Sequence, residues 1–327
     1  MGEERNSLFR FTILVPNVDS KNVNLKHIQL RKVGKLKGHL WEQLELPFYS
    51  RKGLLINLCN TGPIMKWKQI VTIHDVSFVI NKQFYSFAFR TWYSILIGIL
   101  SKFSKKIITV SNFSKQEIVK YYKVNDSKIE VTHLGNEHLH DHIADVSILK
   151  KYNLTERPYV LAVSSLNPNK NFQSIVDAVK LIKDVNFDLV IAGGSNLKVF
   201  AGEGMQLPDH FKQTGYITDG ELRALYENAS CFIFPSFYEG FGIPPIEAML
   251  SGCPVIVSKV ASLPEICGDS VLYCDPHKPE SITSQLLSIM NDVKLRNNLI
   301  ERGFKKSAEY SWDNCARSTY SIIREMY

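Results

Sequence analysis

Two glutamates separated by seven residues, Glu239 and Glu247, stand in the run Pro235-Ser236-Phe237-Tyr238-Glu239-Gly240-Phe241-Gly242-Ile243-Pro244-Pro245-Ile246-Glu247-Ala248. The run follows the apolar segment CFIF, which reads as a strand. It leads into a helix, EAMLSG, stopped near Gly252. Glu239 is therefore expected in a loop at a strand's carboxyl end, and Glu247 in the first turn of the next helix. Gly240 and Gly242 leave backbone N–H groups accessible at that helix's N-terminus, where the helix dipole favours negative charge. Carboxylates accept hydroxyl hydrogens and open amides hold anions, so the set suits a polyhydroxylated, anionic ligand. The same residues also compose a tight turn with a helix-start glutamate complementing the dipole, and composition does not separate the two.

Other chemistries lack their motifs. There is no G-x-G-x-x-G opening a helix after a strand, no G-x-x-x-x-G-K-[ST] and no G-x-S-x-G. No Asp-x-Asp pair is present to hold a divalent ion on a diphosphate. Dehydrogenase, kinase-like and hydrolase functions lose weight accordingly. The six cysteines form no C-x-x-C pair and several sit in apolar runs, so neither a zinc site nor a disulfide framework is indicated. A reducing, cytoplasmic compartment is the expectation. MGEERNSLFR is too charged for a signal peptide.

The elements that must carry the site alternate along the chain. Strands are expected at Phe11–Val15, Leu54–Leu58, Gln69–Ile73, Lys106–Val110, Ile129–Thr132, Tyr159–Val163, Asp188–Ala192, Cys231–Phe234, Pro254–Val257 and Val271–Cys274. Helices are expected near Leu40–Leu44 and Ser114–Tyr122, and at Phe84–Phe103, Phe172–Ile182, Glu221–Asn228, Pro245–Leu250, Glu280–Met290, Val293–Tyr310 and Asp313–Glu325. Strand–helix alternation is the pattern of α/β parallel sheets covered on both faces. At 327 residues this gives two Rossmann-like domains, 1–150 and 151–327, facing across a cleft, with ligands at the strands' carboxyl ends.

Charge divides the same way. Residues 1–150 carry 22 Lys/Arg against 12 Asp/Glu, and residues 151–327 carry 17 against 20. A basic first half fits an anionic partner or a solvated basic surface. Phe84–Lys106 is aromatic-rich and ends in Lys102, Lys105 and Lys106, but Arg90 and Lys102 interrupt it too much for a membrane span. It reads as a helix packed on the first sheet or as a partial membrane-surface contact. No nucleic-acid module is recognisable.

The segment SFYEGFGIPPIEAMLSGCPVIVS resembles the signature of the retaining GT-B glycosyltransferases, most closely glycosyltransferase family 4. TGYITDGELRALYENASCFIFPS, LPEICGDSVLYCDP and SLNPNKNFQSIVDA resemble neighbouring donor-domain blocks. IVTIHDVSF, IITVSNFSKQEI and IEVTHLGNE resemble acceptor-domain landmarks. The resemblance implies a GT-B fold, with an acceptor-side domain over 1–150 and a nucleotide-sugar domain over 151–327. The last helix would return toward the first domain.

The implied activity is transfer of a hexose-type sugar, with retention, from a nucleotide diphosphate sugar to a glycan or polyprenyl-linked acceptor in surface-polysaccharide synthesis. Glu239 would bind donor-sugar hydroxyls and Glu247 the nucleotide ribose. Gly240, Phe241, Gly242 and Ile243 would offer backbone N–H groups to the donor, and Asn169 and Gly193 would line it. Lys170 would neutralise the diphosphate, and His74 would meet the sugar from the acceptor domain. No cofactor or metal is expected, because cationic side chains and helix ends supply the needed charge. The chain would be cytoplasmic, with weak peripheral membrane contact.

Two departures from the family pattern stand out. Asn169 and small residues near Ser164–Ser165 occupy places where many members carry basic residues. The family's first strand and Gly-rich loop would precede Phe11–Val15 and have no counterpart, which implies a shortened first domain. A truncated, catalytically impaired homologue that binds a sugar nucleotide or a partner is the alternative.

Overall fold

The computed structural model describes residues 9–17, 25, 27–163, 167–193 and 210–326. Met1–Leu8 and the Ser164–Ser165 pair lie outside them. The chain divides into two compact units, Met1–Thr132 with Ala316–Tyr327, and His133–Cys315.

The first unit holds a parallel pair, β1 (Thr12–Pro16) and β2 (Gln29–Val33). It also holds a four-stranded parallel sheet of β3 (Leu55–Asn57), β4 (Gln69–Thr72), β5 (Lys106–Thr109) and β6 (Ile129–Val131), in that order. Helices α1 (Phe87–Phe103) and α2 (Asn112–Tyr122) cover this sheet: Leu96, Ile97, Leu100 and Ile118 join Val71, Ile73 and Ile107 in one core cluster. The packed-helix reading of Phe84–Lys106 holds for this face. The opposite face exposes Phe87, Trp92 and Ile95. Among the described residues no helix is long and apolar enough to cross a membrane.

The second unit is a six-stranded sheet, all parallel between strands. Its strands are β7 (Tyr159–Val163), β8 (Asp188–Ala192), β9 (Phe211–Gly215), β10 (Cys231–Phe234), β11 (Val255–Ser258) and β12 (Leu272–Cys274). The spatial order is β12-β11-β10-β7-β8-β9. Counted within the unit, this is the 3-2-1-4-5-6 order of dinucleotide-binding sheets, whose direction of winding reverses between β7 and β10. β8, β10 and β11 are buried along their whole length, as strands covered on both faces must be.

α3 (Phe172–Lys180) lays Phe172, Ile175, Val176 and Val179 against one face. Helices α4 (Asp219–Asn228), α5 (Ile243–Leu250), α6 (Pro279–Asn291) and α7 (Val293–Ser307) also belong to the unit, with shorter helical turns at Ser147–Lys151 and Leu263–Cys267. A capping box between Thr218 and Glu221 starts α4. Burial raises the thiol pKa of Cys231 to about 12, consistent with a packing residue.

The division between units falls earlier than the boundary expected between residues 150 and 151. Residues after Thr132 are fastened to the second unit: the Asp145 amide donates to Gly220 O at 2.9 Å, and Tyr152 Oη to Thr214 O at 2.9 Å. α8 (Trp312–Arg324) crosses back, and its Ile322 and Ile323 pack with Ile70 and Ile108 of the first unit.

β2 and β9 are absent from the sequence-based expectation. Each lies at a sheet edge and pairs with one neighbour. Edge strands bury less, and QLRKV and FKQTG are correspondingly polar.

Candidate active site

The loops after β7 and β10 meet at the reversal point of the second sheet. After β7, Pro168–Lys170 forms a 3₁₀ turn and Asn171 takes the left-handed conformation (φ 54°) just before α3. Asparagine tolerates that backbone, and its side chain is used there. Asn171 Nδ2 donates to Pro235 O at 3.0 Å and to Pro276 O at 2.7 Å. Asn169 Nδ2 donates to Tyr238 O at 2.6 Å, and the Phe237 amide donates to Asn169 O at 2.9 Å. Both asparagines are buried. Asn169, expected to line the donor, thus fastens one loop to the other.

This fastening brings Lys170 to Glu239. Lys170 Nζ lies 2.7 Å from Glu239 Oε1 and 4.9 Å from the centre of the Phe234 ring. Both side chains are mostly enclosed, at 24% and 13% exposure. Ser262 Oγ donates to Glu239 O at 2.9 Å and to Phe241 O at 3.0 Å, which orients the glutamate's loop.

The loop ends in the N-terminus of α5. Gly242 is its N-cap, at φ 103°. A Cβ there would lie 2.8 Å from Leu263 Cδ2, so glycine is required both for the backbone angle and for the space. Phe241 is buried, with its ring against His133 and Tyr310. Among the described residues, the backbone N–H groups of Phe241, Gly242 and Ile243 have no hydrogen-bond partner. Three open amides at a helix N-terminus, starting two residues after the glutamate that pairs with Lys170, have the donor chemistry that suits an anion.

Glu247 departs from its expected position. α5 begins at Ile243, with proline at its start and no acidic residue in its first turn, so Glu247 stands one turn further in. The prolines explain the difference: they are favoured at a helix start, where no N–H is needed, so the helix begins before them. Glu247 is buried at 6% exposure. His138 Nε2 lies 3.0 Å from its Oε1, and Tyr226 Oη donates to its Oε2 at 3.4 Å. Burial raises the carboxyl pKa, while the contact with His138 opposes that rise. His138 was not among the residues singled out from sequence. Its segment, HLGNEHLHDH, holds four histidines with no spacing that favours one of them.

Gly193 follows β8 at φ 85° and bridges to Gly215, its amide donating to Gly215 O at 2.9 Å. His74 belongs to the first unit, just past β4. Its Nε2 donates to Leu58 O at 3.0 Å, and its amide donates to Asn60 Oδ1 at 2.7 Å. The second unit therefore brings together Lys170, Glu239, Asn169 and the α5 amides, with Glu247 further along the same helix.

A family model described as glycosyl transferases group 1 matches residues 147–306. Over 232 residues the chain is 32% identical to O-antigen chain mannosyltransferase B of Escherichia coli, covering 68% of this chain and 61% of that relative. The chain thus spans about six tenths of that relative's length. Over 321 residues it is 28% identical to O-antigen chain mannosyltransferase RfbU of Salmonella typhimurium, covering 96% and 85%. Among solved structures, sucrose-phosphate synthase from Thermosynechococcus elongatus superposes with a TM-score of 0.74 at 17% identity, over 96% of this chain and 88% of that one. WaaG, a glycosyltransferase involved in lipopolysaccharide biosynthesis, superposes at 0.68 and 15% identity, over 92% and 87%. These two likenesses are of fold.

Proposed function

We propose that the chain, which has the GT-B fold and matches the glycosyl transferases group 1 family over residues 147–306, is a glycosyltransferase that transfers mannose from a nucleotide diphosphate sugar to a lipid-linked glycan acceptor. The names of the two sequence relatives support mannose and O-antigen synthesis. The observation that carries the reading is the Lys170–Glu239 pair, 2.7 Å apart at the reversal point of the sheet, with the three open amides of Phe241–Ile243 following in the same loop.

A nucleotide sugar offers the chemistry this set complements. Its diphosphate would take the Lys170 ammonium and the α5 amides. Its sugar hydroxyls would donate to Glu239, which gives up the lysine as its partner when the donor binds. Glu247 would accept from the ribose hydroxyls. In the transfer step the acceptor hydroxyl oxygen bonds to the sugar's anomeric carbon as the bond from that carbon to phosphate breaks. The hydroxyl proton passes to the leaving phosphate oxygen on the same face, so the anomeric configuration is retained. Charge grows on the leaving diphosphate as the bond opens, and Lys170 with the helix N-terminus stabilises it in a preorganised way. On this reading no metal is required.

The test is a thermal-shift screen of GDP-mannose, UDP-glucose and UDP-galactose followed by a transfer assay in excess chelator. A donor at 100 times its dissociation constant adds about 2.7 kcal/mol of stability. GDP-mannose, or another mannose nucleotide, should stabilise the chain and support transfer without added metal. Stabilisation by none of them, or transfer restored only by Mg²⁺ or Mn²⁺, rejects the corresponding part of the reading. The exposed Phe87, Trp92 and Ile95 of α1, on a basic first unit, fit reversible contact with anionic lipid. Salt-sensitive cosedimentation with anionic vesicles checks it.

A further inference from the structure

His138 touches Glu247 from a segment built to hold it there. Asn136 is buried, and its Nδ2 donates to Ile246 O at 3.4 Å, on the residue preceding Glu247, and to Ser307 O at 3.2 Å. Glu137 Oε1 accepts the Trp312 amide at 2.6 Å, and its Oε2 accepts the Asn136 amide at 3.0 Å. Gly135 admits this approach, since a Cβ on it would lie 2.2 Å from the Trp312 nitrogen. The imidazole itself is fixed at both nitrogens. Trp312 Nε1 lies 3.4 Å from His138 Nδ1. An indole N–H only donates, so Nδ1 accepts and the ring proton of the neutral imidazole sits on Nε2. That proton faces Glu247 Oε1 at 3.0 Å.

We propose that His138 is a positioning residue for nucleotide recognition, its Trp312-selected tautomer presenting Nε2–H to Glu247 and so aiming that carboxylate at the ribose hydroxyls. The inference rests on the ribose role given to Glu247 above. A buried carboxylate with one oxygen held by His138 and the other by Tyr226 keeps two lone pairs in fixed directions. The vicinal ribose hydroxyls are two donors at a fixed spacing. Without the imidazole, Glu247 keeps the longer Tyr226 bond and loses its fixed orientation.

The test measures binding of GDP and UDP, and of their 2′,3′-dideoxy counterparts, to the full chain by titration calorimetry. The wild type should favour the ribo form of the nucleotide it binds by about tenfold, the scale of a hydrogen bond to a charged group. In His138→Ala that preference should fall to about twofold, with binding of the dideoxy form unchanged. His138→Gln, which keeps an N–H donor at the Nε2 position, should retain most of it. Trp312→Phe, which keeps an aromatic ring but loses the indole N–H together with the second ring, should lie between. A wild-type preference in both His138→Ala and Trp312→Phe overturns the proposal and leaves the ribose role of Glu247 standing. No ribo preference in the wild type overturns the ribose role and this proposal together. If His138→Ala fails to fold, Trp312→Phe decides: an unchanged preference overturns the proposal.

Discussion

At Glu239 and Lys170 the opposite charges that would grip the donor are, without it, each other's partners at 2.7 Å. Removing Glu239 leaves the enclosed Lys170 ammonium without its carboxylate partner, which costs more than losing an exposed pair would. Glu239→Ala should lower turnover about 100-fold or more, the scale of losing one preorganised polar contact to the transition state. Circular dichroism should stay unchanged. Near-normal turnover would remove Glu239 from the site. Lys170→Arg should keep more activity than Lys170→Ala, since charge at that point matters more than shape. Equal losses would argue against a diphosphate role. Glu247 adds a pH dependence. Burial raises its pKa, so the carboxylate is lost at a higher pH than for an exposed glutamate. His138, Tyr226 and Asp219 are the titratable groups facing it. Only the carboxylate can accept from both ribose hydroxyls, so donor affinity should fall as pH drops through that raised pKa. An intact nucleotide sugar is the right probe, because its phosphates are esterified and have no second ionisation near pH 6. Glu247→Gln should bind weakly with a flatter profile, and an identical acid limb in that variant would assign the titration elsewhere.

Among the elements, α5 does the most positioning. Its start is set by Gly242 at φ 103°, followed by Pro244 and Pro245, and it carries Glu247 one turn in. Gly242→Ala forces a side chain into a backbone region that costs about 1–3 kcal/mol, against Leu263 Cδ2. The melting temperature should drop by several degrees. Donor affinity should weaken as well, because the amides at the helix start turn with the backbone. Unchanged melting together with unchanged affinity would show that the loop accommodates a Cβ. The close packing of α5 on α7 is set by another glycine: a Cβ on Gly303 would meet Met249 Cγ at 3.2 Å.

At the scale of the whole molecule, the chain passes from one unit to the other at Thr132 and returns within α8. Ile323, at 2% exposure, is the returning helix's most buried apolar residue. It packs in the cluster of Ile70, Ile108 and Ile322. Ile323→Ala should therefore destabilise the first unit by about 2–5 kcal/mol. The measurement is denaturant unfolding followed by probes placed in each unit, since a single free energy is not defined for a two-unit chain. An unmoved first-unit transition would mean that the helix contributes nothing to that core.

Local pattern was enough for much of this. The α/β class, the buried strands β7, β8, β10 and β11, and the loop between CFIF and its helix are legible because apolar period and Gly/Pro punctuation are short-range signals. The place of Glu239 at a strand's carboxyl end and the glycine-rich helix start after it were legible for the same reason, whereas Lys170 entered only through the family resemblance. The edge strands were not, because one neighbour demands little apolar surface. The unit boundary was not, because it depends on which surface residues 133–150 fasten to. The start of α5 was misplaced, since a proline pair reads as easily before a helix as within its first turn. His138 was out of reach of the sequence: its partners, Glu247 and Trp312, are far away along the chain, and only the packing of Asn136 and Gly135 against α5 and α8 chooses it from four nearby histidines. Side-chain type and local spacing set what chemistry a residue can do. Which residue does it was decided by tertiary contacts, because hydrogen bonds act over about 3 Å whatever the separation in sequence.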